Sequence, residues 1–108
     1  MPGMIDQDTI RKAVELLREA AGPRKIILFG SYATGQASEY SDVDLLVVEE
    51  EVGDLLAESA RLRQAIGPLR IPVDLVVVSE EHYEYWRDTP GNLMFEVTQE
   101  GKVLYEAA

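Results

Sequence analysis

Between Gly30 and Val48 the chain reads GSYATGQASEYSDVDLLVV, and its last seven residues decide how the rest is read. Asp42-Val43-Asp44 opens directly into Leu45-Leu46-Val47-Val48, and the acidic Glu49-Glu50-Glu51 closes the run. A short apolar run entered from a polar segment reads as a buried strand. Residues two apart on a strand share a face, roughly 6.6 Å apart along the backbone. Asp42 and Asp44 therefore project together at the mouth of this strand. A second stretch repeats the pattern, with Asp74 ahead of Leu75-Val76-Val77-Val78. Between the two, residues 54–66 carry Leu55, Leu56, Ala60 and Leu62 at helical spacing and stop at Gly67-Pro68. Such a helix is long enough for a crossover that sets the two strands parallel. Aligned on their apolar runs, Asp44 and Asp74 reach the same level, and three carboxylates converge.

Convergence has an energetic consequence. Two unit charges about 6 Å apart repel by roughly 3 kcal/mol at an effective dielectric near 20. Three such acids raise one another's pKa values or take a counter-ion. Oxygen ligands alone favour a hard cation such as Mg²⁺, which shares its remaining positions with water and substrate phosphates. Two ions about 3.5–4 Å apart would bridge the cluster and serve an in-line phosphoryl displacement. Spacing alone does not specify this chemistry. Asp6-Gln7-Asp8 has the same spacing, yet it opens a helix, where acids cap amides and favour the helix dipole. What separates Asp42-Val43-Asp44 is the strand behind it, the third acid, and the Gly30-Ser31 turn ahead. A glycine there lets the backbone approach a ligand, and the serine hydroxyl and free amides can bond phosphate oxygens.

Around this centre the periodicities predict a helix over residues 6–21 and a short buried strand over 25–29 that ends at Gly30. A polar connection, with one helical turn at its start, leads to the strand at 42–48. The third strand is predicted over 70–78, and Ser79 caps a helix running through Glu80 to Tyr83. Pro90-Gly91 interrupts before a further helix over 92–99, and Gly101 releases a short extended piece at 102–105. The expected fold class is α/β, a small mixed sheet packed by helices in the order αβαβαβα, with a very short helix after the first strand. The 108 residues suffice for one domain, 1–108, with no room for a second lobe.

Composition narrows the function. The net charge is −10, from 20 acids against 10 bases, and the bases are scattered. Such a surface repels phosphate backbones and anionic membranes, so no direct nucleic-acid or membrane partner is expected. Cysteine is absent, which excludes disulfides and thiolate metal sites. No membrane-length apolar run occurs and residues 1–6 lack a leader pattern, so the cytoplasm is the expected location.

Gly30-Ser31, ten intervening residues and Asp42-x-Asp44 resemble the signature of the DNA polymerase beta-like nucleotidyltransferase superfamily. The finer pattern, with IPVDLVVVS downstream and NLMFEVTQEGKVLYE at the end, resembles its minimal nucleotidyltransferase (MNT) antitoxin branch. The resemblance implies that Asp42 and Asp44 hold both Mg²⁺ ions. It implies that Asp74 binds the catalytic metal and helps activate the incoming hydroxyl, and that Gly30 and Ser31 grip the triphosphate of ATP. It further implies transfer of AMP to a hydroxyl, a tyrosine, of a cognate HEPN-domain RNase toxin. One departure stands out. Thr34 lies where many relatives carry a basic residue ahead of the glycine, here Gly35.

Two other functions compete with this one. The chain could be an antitoxin that occludes its partner with an idle nucleotide pocket, or it could modify a small molecule or an RNA end. Length and acidity disfavour the latter. Elsewhere, His82 is expected on an exposed helix face and Ser41 in a turn. Trp86 is expected in the core, and Glu49 to Glu51 at a solvated strand exit.

Overall fold

The second strand is the spine of the molecule. In the computed structural model, which describes residues 4–108, β2 (Val43–Glu49) is buried along nearly its whole length. The leader reading at the N-terminus rests partly on residues 1–3, which lie outside the described residues. Along β2 the side chains alternate between two cores. Leu45 and Val47 pack with Leu17, Leu28, Leu62 and Leu75 on one face, while Leu46 and Val48 pack with Ile27, Tyr83, Met94 and Val97 on the other. A strand covered on both faces needs apolar residues at consecutive positions, which explains the unbroken Leu-Leu-Val-Val run.

The first face is covered by α1 (Gln7–Ala21) and α3 (Leu55–Ile66), the second by α4 (Glu80–Trp86) and α5 (Leu93–Glu100). The remaining strands are β1 (Lys25–Phe29), β3 (Val73–Ser79) and β4 (Lys102–Glu106), and the four-residue α2 (Ser31–Thr34) follows β1. Their order across the sheet is β3-β2-β1-β4. β2 runs parallel to β3 and antiparallel to β1, while β4 lies antiparallel on the far side of β1. The expected class, a small mixed sheet packed by helices, is the one observed. Among the described residues no helix is long and apolar enough to cross a membrane.

Local chemistry sets the helix ends. Asp6 accepts from the Thr9 amide at 2.8 Å, Asp54 from Ala57 at 3.1 Å, and Ser79 from His82 at 3.1 Å. Each satisfies an amide that the first helical turn leaves without a partner. The Asp6 bond also holds that carboxyl below its ordinary range, so the Asp-x-Asp at the N-terminus does serve as a cap.

Four expectations need correction. Of the apolar set on α3 only Leu62 is buried, together with Ile66, while Leu55, Leu56 and Ala60 are exposed. Trp86 is 38% exposed, whereas Tyr83 is buried and fills the core position of α4. The cap at Ser79 fixes the phase of this helix and leaves Trp86 at its rim. Residues 67–69 form a 3₁₀ turn, so the third strand starts at Val73 rather than at 70. Glu49, taken for a solvated exit residue, is only 8% exposed.

Candidate active site

Asp44 is the second residue of β2 and Asp74 the second of β3. The parallel register pairs Val43 with Val73 and runs unbroken to Glu49 and Ser79, so Asp44 lies opposite Asp74. Both side chains follow the parity of Leu46, Val48, Val76 and Val78 and emerge on the α4/α5 side of the sheet. On its other flank, Asp44 faces Phe29, the last residue of β1. The apolar runs set the register, and the register brings two like charges together.

Asp44 bears the cost. Its carboxyl is pushed above its ordinary value, first by burial, then by the charges of Asp74 and Asp42 and by the contact between the Asp44 and Asp74 carboxyls. Asp42 precedes the strand and is exposed, so it acts on Asp44 through its field. Among the described residues no three His, Cys, Asp or Glu side chains are drawn together tightly enough to hold a metal ion. The expected meeting of three is therefore a meeting of two with the third close by.

The glycine turn is built into the same spot. Gly30 has φ 73°, a left-handed value that strains any other residue, and an added Cβ would overlap Asp44 Oδ2. Its carbonyl accepts from the Ala33 and Thr34 amides at 3.0 and 3.2 Å, which winds α2 immediately after it. Ser31 opens that turn, and Tyr32 accepts the Ile5 amide at 3.0 Å and anchors it to the segment before α1. Gly30, Ser31, Asp44 and Asp74 thus share one rim of the sheet, with Asp42 beside them.

The residues fit a divalent cation. The donors are all carboxylate oxygens, Asp44 is raised by burial and by the charges of Asp74 and Asp42, and the absence of a Cβ on Gly30 lets Asp44 Oδ2 lie against the turn.

Sequence reasoning missed a second acid pair at the other end of β2. Glu49 Oε2 is buried without a hydrogen-bond partner among the described residues, and the carboxyl is raised to about 7. Burial is the first cause, and contact with Glu58 of α3 the second. Glu58 is held below its ordinary range, first by its bonds from Arg61 at 2.7 and 3.0 Å. Arg61 also donates to the Ala20 carbonyl at 2.6 Å and so ties α3 to the end of α1. A signal for this pair was present. Glu49 follows Leu45 and Val47 on the same strand face, which points it into the helical layer.

Comparison with known proteins adds an independent view. Residues 10–98 match the family model described as "Nucleotidyltransferase domain". A protein of Methanocaldococcus jannaschii, named as a candidate protein adenylyltransferase, is 32% identical over 105 residues, covering 94% of this chain and all of that protein. The protein adenylyltransferase MntA of Thermococcus cleftensis is 49% identical over 65 residues, spanning 58% of this chain and 64% of that protein. Among solved structures, a toxin-antitoxin complex with AMP-PNP superposes with a TM-score of 0.66 at 24% identity, covering 95% of this chain and 75% of that one. Another is a tri-AMPylated Shewanella oneidensis HEPN toxin in complex with an MNT antitoxin, with a TM-score of 0.62, 24% identity, and 95% and 74% coverage. At these identities the solved structures establish a shared fold.

Proposed function

This chain belongs to the nucleotidyltransferase domain family, and we propose that it moves AMP from ATP onto a hydroxyl of a partner protein. The observation that carries the reading is the register that sets Asp44 against Asp74 under the Gly30 turn. Support for a protein acceptor comes from relatives named as protein adenylyltransferases and from fold neighbours bound to HEPN toxins. We assign the acceptor to such a toxin, and the accepting group to a tyrosine.

Each residue has a role in this reading. The amides and hydroxyl at Gly30-Ser31 bind phosphate oxygens and orient the nucleotide. Asp42, Asp44 and Asp74 would hold Mg²⁺, two ions in all, and bound there the metal would neutralise charge on the triphosphate. Asp74, exposed at the rim, receives the proton of the acceptor hydroxyl. The hydroxyl oxygen then bonds to the α-phosphorus as the bond from that phosphorus to the bridging oxygen breaks. Pyrophosphate departs with the electron pair. Held on strand ends rather than on a loop, Asp44 and Asp74 keep their positions through this exchange.

The test uses the purified chain, Mg²⁺, ATP labelled at the α-phosphate, and the protein encoded in the neighbouring reading frame. Label on that protein is the expected result, with Asp42→Asn/Asp44→Asn removing it. Label that persists in the double variant would overturn the assignment. A double variant that still protects cells as well as the parent would instead favour inhibition by occlusion.

A further inference from the structure

Residues 35–42 form a loop whose two ends both belong to the candidate site. The loop leaves α2 at Gly35, and the Gln36 amide donates to the Ser31 carbonyl at 3.0 Å, so it starts from the glycine-serine turn. It ends at Asp42, and the next amide, that of Val43, donates to the Pro72 carbonyl at 2.9 Å just ahead of β3. A short loop pinned at both ends to one rim keeps its middle close to that rim.

The return leg is a tight turn. The Ser41 amide donates to the Ser38 carbonyl at 3.1 Å, which puts Glu39 and Tyr40 at the corners. The Ser38 amide donates to the Ser41 hydroxyl at 2.9 Å, and the Tyr40 amide donates to the Ser38 hydroxyl at 3.2 Å. These bonds engage both serine hydroxyls and hold the backbone of the turn. Tyr40 stands at its tip, 89% exposed. From there to Asp42 the backbone spans at most about 7 Å. An exposed ring changes rotamer within nanoseconds, so the phenol sweeps the space beside the carboxylates.

The other tyrosines are engaged or remote. Tyr32 accepts the Ile5 amide at 3.0 Å, and Tyr83 is buried with its hydroxyl 3.3 Å from that of Thr98. Tyr105 pairs with Ile26 near the start of β1 and lies under the Arg18 guanidinium at 4.4 Å. Tyr85 is 72% exposed, but its helix sets Tyr83 against Lys25, at the end of β1 remote from Gly30.

We propose that Tyr40 is a built-in acceptor, which takes AMP from the ATP bound in its own chain. The proposal rests on the reading of Asp42, Asp44 and Asp74 as the centre of AMP transfer. The Tyr40 oxygen bonds to the α-phosphorus as the bond from that phosphorus to the bridging oxygen breaks. Its proton passes to Asp74, and pyrophosphate leaves with the electron pair. The reaction runs within one chain, because so short a tether gives an effective concentration on the order of millimolar. A net charge of −10 also holds two copies apart. A partner seated on the site takes the place of Tyr40 before the α-phosphorus, so the modification marks chains that have no partner.

The test uses the full chain alone, with Mg²⁺ and ATP labelled at the α-phosphate. The chain should gain the mass of one AMP, and tandem mass spectrometry should place it on Tyr40. Tyr40→Phe should lose the label with its melting temperature unchanged, and Asp44→Asn should lose it too, whereas Tyr85→Phe should keep it. The rate per chain should stay constant over about a hundredfold dilution. Label mapped to another residue, label retained in Tyr40→Phe, or label on a tagged Asp44→Asn chain mixed with the parent would overturn the proposal. So would a chain that stays unlabelled while it labels the protein from the neighbouring reading frame, a result that leaves the AMP-transfer reading standing. Label on neither protein would remove that reading and the proposal with it.

Discussion

The two ends of β2 solve the same electrostatic problem differently. At each end a carboxyl is raised by burial and by a second carboxyl from a neighbouring element, Asp44 by Asp74 and Glu49 by Glu58. At the Glu49 end the fold supplies the remedy itself. Arg61 pairs with Glu58 at 2.7 Å, and burial raises the Glu49 carboxyl beside them to about 7. At the Asp44 end no Lys or Arg forms an ion pair with Asp42, Asp44 or Asp74 among the described residues. One end has its counter-charge built in beside a single orphaned oxygen of Glu49, and the other has none, which is what the proposed cation site requires. Strain of this kind, kept where a ligand relieves it, is characteristic of functional sites.

The contrast can be broken most directly at Asp44. Asp44→Asn should lower AMP transfer by about a thousandfold or more, while raising the melting temperature slightly because it removes a repelled charge. A variant that loses stability along with activity would show the acid to be structural. Gly30→Ala comes next. It should cost about a hundredfold in transfer, comparable to losing one well-placed donor, and also destabilise the fold, since the new Cβ and Asp44 Oδ2 cannot share their space.

The other end predicts a pH effect. Glu49 titrates near 7 when folded and near the ordinary carboxylate value when unfolded. Between those values the folded chain holds a proton that the unfolded chain has released, so stability falls as pH rises through that window. The decline should be on the order of 1–3 kcal/mol. Below the window the sign reverses, because Glu58 is depressed and its contribution is lost on acidification. Chemical denaturation across pH should therefore show a maximum near the acid side of the window, and Glu49→Gln should flatten the decline above it. If Asp44→Asn flattened it equally, the two ends would not be distinct. The smallest effect is expected from Asp8→Asn at the capping Asp-x-Asp. Its ion pair with Arg11 is exposed, so both activity and stability should stay within about 0.5 kcal/mol of the parent.

The site was more legible in the sequence than the layers around it. Asp44 and Asp74 each head an apolar run of matching length, and two runs joined by a helix leave one sensible alignment. The direction of β1 and the place of β4 carry no such signature, because an antiparallel neighbour and an edge strand are chosen by packing over long sequence separations. Glu49 was misread for a related reason. Glu-Glu-Glu looks solvated, and nothing in the run itself signals that its first residue packs against Glu58, nine positions on. Tyr83 and Trp86 show the limit of composition, since helix phase, not size, decided which ring entered the core.

The unbroken pairing of β2 with β3 has a consequence for assembly of the chain. Repulsion between Asp44 and Asp74 would vanish if one strand slid by a single residue past the other. That slide would also turn every valine and leucine of the moving strand from its own core to the opposite one. The charged pair is locked in by a zipper that has only one tooth setting, so the molecule cannot relax its reactive corner without dismantling its interior.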